Sequence, residues 1–451
     1  MKISIYRYSK SIFSEIFEQY KAYLIIQAVL LIPVFIQGAN KKGDNPSNLV
    51  FESVESAHAQ IWNRFVSKQH ILYDYTDSLG NVFTPTIEEV DKLMPNGLSY
   101  QTPIEDGAFY NGIYLDGLCE RWKKLKTKKA KKEARAIAAG LVKLATVSDV
   151  PGFIARNVLP EGNTHFPASS DDQTFPWFYG MWKYLNSGIP DEEESGKIKK
   201  LIVEKAMALH GYNWKIPCDP LSFGTYGSFS GINYKHLVRI PFITRIVFEL
   251  TGDEAWNQRY LQSLKEIPAG EKDTRINLLS HGIPYDGHGT KKYNFWLSAS
   301  SQAALKELVS LEEDEAVKQA YLKALKLNAL SAVRQMEQYS NFDNDNALTF
   351  QVNWRYLNDL WQPQSNSEEA RILGFEQVNF ARKISPLARY EFDFMTEPLF
   401  AAWVIVLSND DELIRSVSPQ LKNLLIHYNW SKLNTVTFFI SELIYYEWIK
   451  S

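Results

Sequence analysis

From Leu49 onward, apolar residues recur at helical spacing, and strand-like alternation is scarce. The pattern comes in pairs. A mostly apolar stretch is followed by a short polar turn and then by an amphipathic stretch. The turns centre near Thr127, Asp191, Gly252, Glu313, Ser365 and Asp410, at intervals that shrink slowly along the chain. Turns at a repeating interval mark copies of one supersecondary unit. Several open on acids, as in Pro190-Asp191-Glu192-Glu193-Glu194 and Asn409-Asp410-Asp411-Glu412. Acids at a helix start cap free N–H groups and oppose the positive end of the helix dipole. The stretches before the turns differ. Phe175 to Leu185 and Leu399 to Leu407 are apolar around most of their circumference, which predicts burial. Six pairs of one buried and one half-exposed helix predict an all-α fold, an (α/α)6 toroid of two concentric helix rings.

Composition narrows the function classes. The 49 basic and 52 acidic side chains leave a net charge of −3, without the basic surplus of a nucleic-acid binder. With 45% of residues hydrophobic, the chain can fill a large core, and 14% aromatic residues add flat amphipathic surface. Two cysteines exclude a disulfide scaffold, and both are expected as free buried thiols. The N-terminus carries a basic flank (Lys2, Arg7, Lys10, Lys21), an apolar run from Ala22 to Ile36, and small residues at Gly38-Ala39. That order predicts a signal peptide or N-terminal anchor over residues 1–39, an exported protein, and one toroid domain over 40–451. No other segment is apolar enough to cross a membrane.

In such a plan the loops leading into the buried helices share one face, and long loops on a rigid scaffold are where function concentrates. They are Tyr100–Gly107, Ser148–Thr174, Gly211–Tyr234, Pro268–Phe295, Ser340–Thr349 and Ser385–Pro398. Their carboxylates include Asp106, Glu161, Asp171, Asp172 and Asp286, the candidate catalytic groups. Glycosidic hydrolysis needs two carboxyl groups, one to protonate the leaving oxygen and one to activate water or attack. Asp172 is the expected acid, because an apolar helix start should raise its pKa. Asp106 or Asp286 is the expected base. Arg156, His165, Gln173, Trp177, Trp214, Tyr226, Tyr285 and His288 offer hydrogen bonds and flat faces to a sugar. Phosphate-binding loops are absent, and no metal site or cofactor is assigned.

Glu105-Asp106-Gly107 before the first buried helix, and Gly152-Phe153-Ile154-Ala155-Arg156 with Ser169-Ser170-Asp171-Asp172-Gln173 before the second, resemble the secreted six-hairpin glycosidase-like proteins of polysaccharide-degrading bacteria. The resemblance implies a toroid over roughly residues 48–451 and acidic residues acting on sugars at its mouth. The expected function is glycoside hydrolysis of an oligosaccharide or polysaccharide. The alternatives are a polysaccharide lyase on a uronate-containing glycan, with Tyr226, Tyr285 or His288 as base, and a glycan-binding protein without turnover.

Overall fold

The computed structural model describes residues 46–284 and 294–450, and the expected leader lies outside them. The helices described belong to one compact unit, Ser47–Ser451. The longer ones are α1 Pro46–Gln60, α2 Gly107–Leu125, α3 Lys128–Thr146, α4 Asp171–Leu185, α5 Glu192–Gly211, α6 Tyr234–Thr251 and α7 Glu254–Lys265. After these come α8 Phe295–Leu311, α9 Glu315–Met336, α10 Ser367–Ile384, α11 Glu397–Val406, α12 Asp411–His427 and α13 Ile440–Trp448. A short antiparallel hairpin, β1 Lys215–Pro217 with β2 Thr225–Ser228, is the one sheet among the described residues. The fold is therefore mostly helical. None of these helices is long and apolar enough to cross a membrane.

Five of the six expected turns join a buried helix to a more exposed one, and local chemistry stops and starts each helix there. Thr127, Asp191, Asp253, Asp314 and Asp410 each accept a backbone N–H of the following first turn. The polar helix starts near these turns are thus caps. The sixth turn differs. Ser365 precedes α10, capped by Asn366, but what comes before it is the 3-10 segment Trp354–Leu360 and not a buried helix. Ser385–Pro398 is not a loop either, because Pro386–Glu391 and the π-turn Phe392–Thr396 run straight into α11. The remaining buried helix is α13, near the C-terminus, and its outer neighbour is α1 from the other end of the described chain.

The buried helices pack in sequence. α2 lies on α4, α4 touches α6 and α8, α6 lies on α8, α8 on α11, α11 on α13, and α13 returns to α2. On the outside, α3 covers α2, α7 covers α6, α9 covers α8 and α11, and α12 leans on α11. The crossing of α2 and α4 is the most intimate. A methyl group at Gly112 would collide with the Pro176 carbonyl, and one at Gly180 with the Gly112 carbonyl. Glycine is required there because backbone meets backbone. Cys119 and Cys218 are both free and buried.

α1 is fastened to α13 by charge. His58 Nδ1 lies 2.8 Å from Glu442 and its Nε2 3.3 Å from Glu133 of α3, all buried. Tyr114 of α2 donates to Glu442 at 3.0 Å, and Arg121 of α2 pairs with Glu55. Burial alone would push the His58 pKa down. The Glu442 charge and hydrogen bonds to Glu133 and Glu442 outweigh it and raise it to about 9.

Two predictions follow from the packing. Gly112→Ala should destabilise the protein by about 1–3 kcal/mol or more, since neither backbone can yield. Gly196→Ala, on the open face of α5 with nothing near its Cβ position, should stabilise by roughly 0.5–1 kcal/mol. Thermal melts of both variants check this contrast. The His58 contribution is fully present below its unfolded value of 6.5 and is lost as pH rises through about 9. Wild-type stability should therefore decline across that window by roughly 3 kcal/mol more than that of His58→Gln, measured by denaturant unfolding at each pH.

Candidate active site

One cavity of about 740 Å³ lies where the starts of buried helices converge. Its wall includes Asp106 and Tyr110 from α2, Asp172 and Gln173 from α4, Asn294 and Trp296 at the start of α8, and Glu397 of α11. Thr435 and Thr437, just before α13, complete that circuit. Tyr100, Tyr226, Phe350, Tyr356 and Phe375 add aromatic faces, and Arg156, Arg382 and Arg389 add positive charge.

The carboxyl groups are held by specific partners. The Gln173 side-chain amide donates to Asp106, and its oxygen accepts the Phe109 N–H at 3.0 Å, so the start of α4 is stitched to that of α2. Arg156 lies 3.6 Å from Asp106 and also donates to the Glu105 and Ser169 carbonyls. Asp74 accepts the Asp106 N–H at 3.0 Å, and Glu105 accepts the Gln101 N–H at 2.6 Å. Burial pushes the Asp106 carboxyl up to about 6; Arg156 opposes the rise and the Asp172 charge adds to it. Burial and the neighbouring Asp106 charge push Glu105 up to about 8. Asp74 is raised well above its ordinary value by burial and by Asp106 and Glu105. The cavity thus carries protonated carboxyls near neutral pH, a recurring property of catalytic sites.

Asp171 and Asp172 sit side by side on a cationic clamp. Arg239 of α6, fully buried, bonds Asp171 and reaches Asp172 at 2.7 Å. Lys235 contacts Asp172 at 2.8 Å and Asp171 at 3.3 Å, and His236 contacts Asp171 at 3.0 Å. Burial alone would raise the Asp171 carboxyl, but Lys235, His236 and Arg239 hold it well below the usual carboxylate range. Asp171 does not line the cavity; Asp172 does. The helix-start position of Asp172 is therefore not the apolar setting expected of an acid, because two cations from α6 reach it.

The other sequence candidates divide. Asp106, Arg156, Gln173 and Tyr226 line the cavity, with Tyr226 hydrogen-bonded to the Tyr100 hydroxyl at 2.7 Å. Trp177 does not: it is wholly buried and its indole N–H donates to the Leu141 carbonyl at 2.9 Å. Trp214 packs on His210 and Phe229 away from the cavity. Glu161 caps its own surface loop through the Thr164 N–H. His165 pairs with Asp219 at 3.0 Å in a separate shallow groove. Tyr285, Asp286 and His288 lie outside the described residues. The sequence reading missed Asp74, Trp296 and Phe375 and gave Glu105 no role. Glu105 was available as the neighbour of Asp106 in Glu-Asp-Gly, whereas no local pattern marks Asp74.

Comparison with known protein families, characterised proteins and solved structures finds no match for this chain.

Proposed function

We propose that the protein is a glycoside hydrolase on an (α/α)6 toroid, with its active site in the 740 Å³ cavity. The toroid reading is supported by the return of α13 onto α2 and by α1 serving as the sixth outer helix. The observation that carries the function is the meeting of Asp106 and Asp172, from the starts of adjacent buried helices, in a cavity walled by aromatic rings. Sugar C–H faces pack on such rings, while hydroxyls need the polar groups between them.

The environments of the two acids assign their roles in this reading. Asp106, raised to about 6, gives its proton to the glycosidic oxygen as the bond to the anomeric carbon breaks. Water adds its oxygen to that carbon and passes a proton to Asp172. Water attacking an oxocarbenium-like carbon becomes strongly acidic, so a carboxylate already paired with Lys235 and Arg239 suffices as acceptor. Protonated Glu105 donates a hydrogen bond to a sugar hydroxyl. This reading gives the acid's role to Asp106 and the base's role to Asp172, the converse of the expectation from sequence. A lyase has less support, because Tyr226, one of the bases that reading requires, is engaged with the Tyr100 hydroxyl at 2.7 Å, and Tyr285 and His288 lie outside the described residues. The basic flank and apolar run of the N-terminal sequence support export, and the proposed activity is accordingly read as lying outside the cytoplasm.

Asp106→Asn should lower kcat/KM on a cleaved glycan by about 10²–10⁴-fold without unfolding the protein. Wild-type activity should fall as pH rises through about 6, as Asp106 loses its proton. Chromatographic assays over a pH series, with circular dichroism as the folding control, check both. Full activity of Asp106→Asn, or glycan binding without any product, would contradict the reading.

A further inference from the structure

The cavity is closed from below in two tiers. Its own floor is aromatic. Tyr110 packs edge-on to Phe439 with ring centres 5.8 Å apart, and Trp296 packs on Phe109 at 5.1 Å. Phe109 in turn meets Phe400, and all three phenylalanines are fully buried. The second tier lies deeper along the same helices. Asp116 follows Asp106 by ten positions and Lys183 follows Asp172 by eleven, which at helical rise is about 15 Å further down. There Lys183 bridges Asp116 at 3.4 Å and Glu307 of α8 at 2.8 Å. Lys450 bridges Glu120 at 2.8 Å and Glu447 of α13 at 3.0 Å. These pairs tie α2, α4, α8 and α13 together at the end opposite the cavity. Lys183 and Asp116 are largely shielded from water, and separating them is costly, so this stopper stays shut.

Among the described residues the cavity therefore has a mouth and no exit. Its volume of about 740 Å³ is that of a pocket for a small ligand, within the usual range of roughly 300–1,000 Å³. The floor is made by Tyr110 and Trp296, whereas Phe375, 47% exposed, and Arg382 stand at the rim. A polymer cannot pass through such a space, and a chain that reaches Tyr110 and Trp296 comes in by an end.

We propose that the cavity is a blind pocket for the terminus of a glycan, so that the enzyme removes units from a chain end and does not cut internally. The proposal rests on the glycoside hydrolase reading. The terminal sugar sits against Tyr110 and Trp296, and the rest of the chain leaves past Phe375. The bond between the terminal sugar and its neighbour breaks. The Asp106 proton goes to the departing oxygen of the neighbour, the water oxygen joins the anomeric carbon of the terminal sugar, and the water proton goes to Asp172.

The test uses the full chain. It is incubated with plant, animal and microbial polysaccharides and with their six-unit oligosaccharides carrying a fluorescent label at the reducing end. Products are followed by chromatography and the polymer solutions by viscometry. The expected result is release of one small unlabelled product from the earliest times, a shortening ladder of labelled remainder, and almost unchanged viscosity. Early mid-length fragments with a rapid fall in viscosity would overturn chain-end action and leave the hydrolase reading standing. Absence of any product across the panel would overturn the hydrolase reading and the proposal with it.

Discussion

His58 stands where the first and last helices of the described chain meet, and its two nitrogens face two buried carboxylates, Glu442 and Glu133. The cluster draws together α1, α3 and α13, and Tyr114 adds α2. Charges this deep are stable only as a set: removing one partner from a buried pair commonly costs about 3–5 kcal/mol, because the other is left uncompensated. The same constraint fixes where the helices begin. With α13 held against α2, Thr435 and Thr437 meet Asp106 and Tyr110 across one cavity instead of lying at a free end of the chain.

The cavity shows how helix starts become chemistry. Asp106 precedes α2 without capping it, since Gln173 and Arg156 occupy its surroundings. Ser170 caps α4, which leaves Asp171 and Asp172 free to meet Arg239 and Lys235. Two acids on adjacent helices thus experience opposite conditions. Asp106 is buried between other carboxyls and Arg156, while Asp172 is half-buried and held by Lys235 and Arg239. A pair of like groups in unlike surroundings can divide the roles of proton donor and anion.

Much of the helical plan was legible because caps and periodicity are local. Thr127, Asp191, Asp253, Asp314 and Asp410 act within their own first turns, so the sequence around each suffices. Asn366 is an equally good cap, which is why the turn at Ser365 looked like the others; a cap announces the helix after it and says nothing about what precedes it. The pairing of α1 with α13 joins residues hundreds of positions apart and leaves no periodic trace. At the site, Asp106, Asp172, Gln173, Arg156 and Tyr226 could be found from their motifs. Trp177 misled because an aromatic residue on an all-round apolar helix belongs to the core. The Asp172 clamp was invisible because Lys235 and Arg239 arrive from α6, more than sixty positions away.

The proposed hydrolase adds water across a glycosidic bond in this cavity. Incubation with a glycan panel in water enriched in ¹⁸O, followed by mass spectrometry of the products, tests it most directly. Hydrolysis yields products carrying one ¹⁸O atom at the newly formed reducing end. Unlabelled products with an unsaturated terminus, or glycans recovered intact, would contradict it.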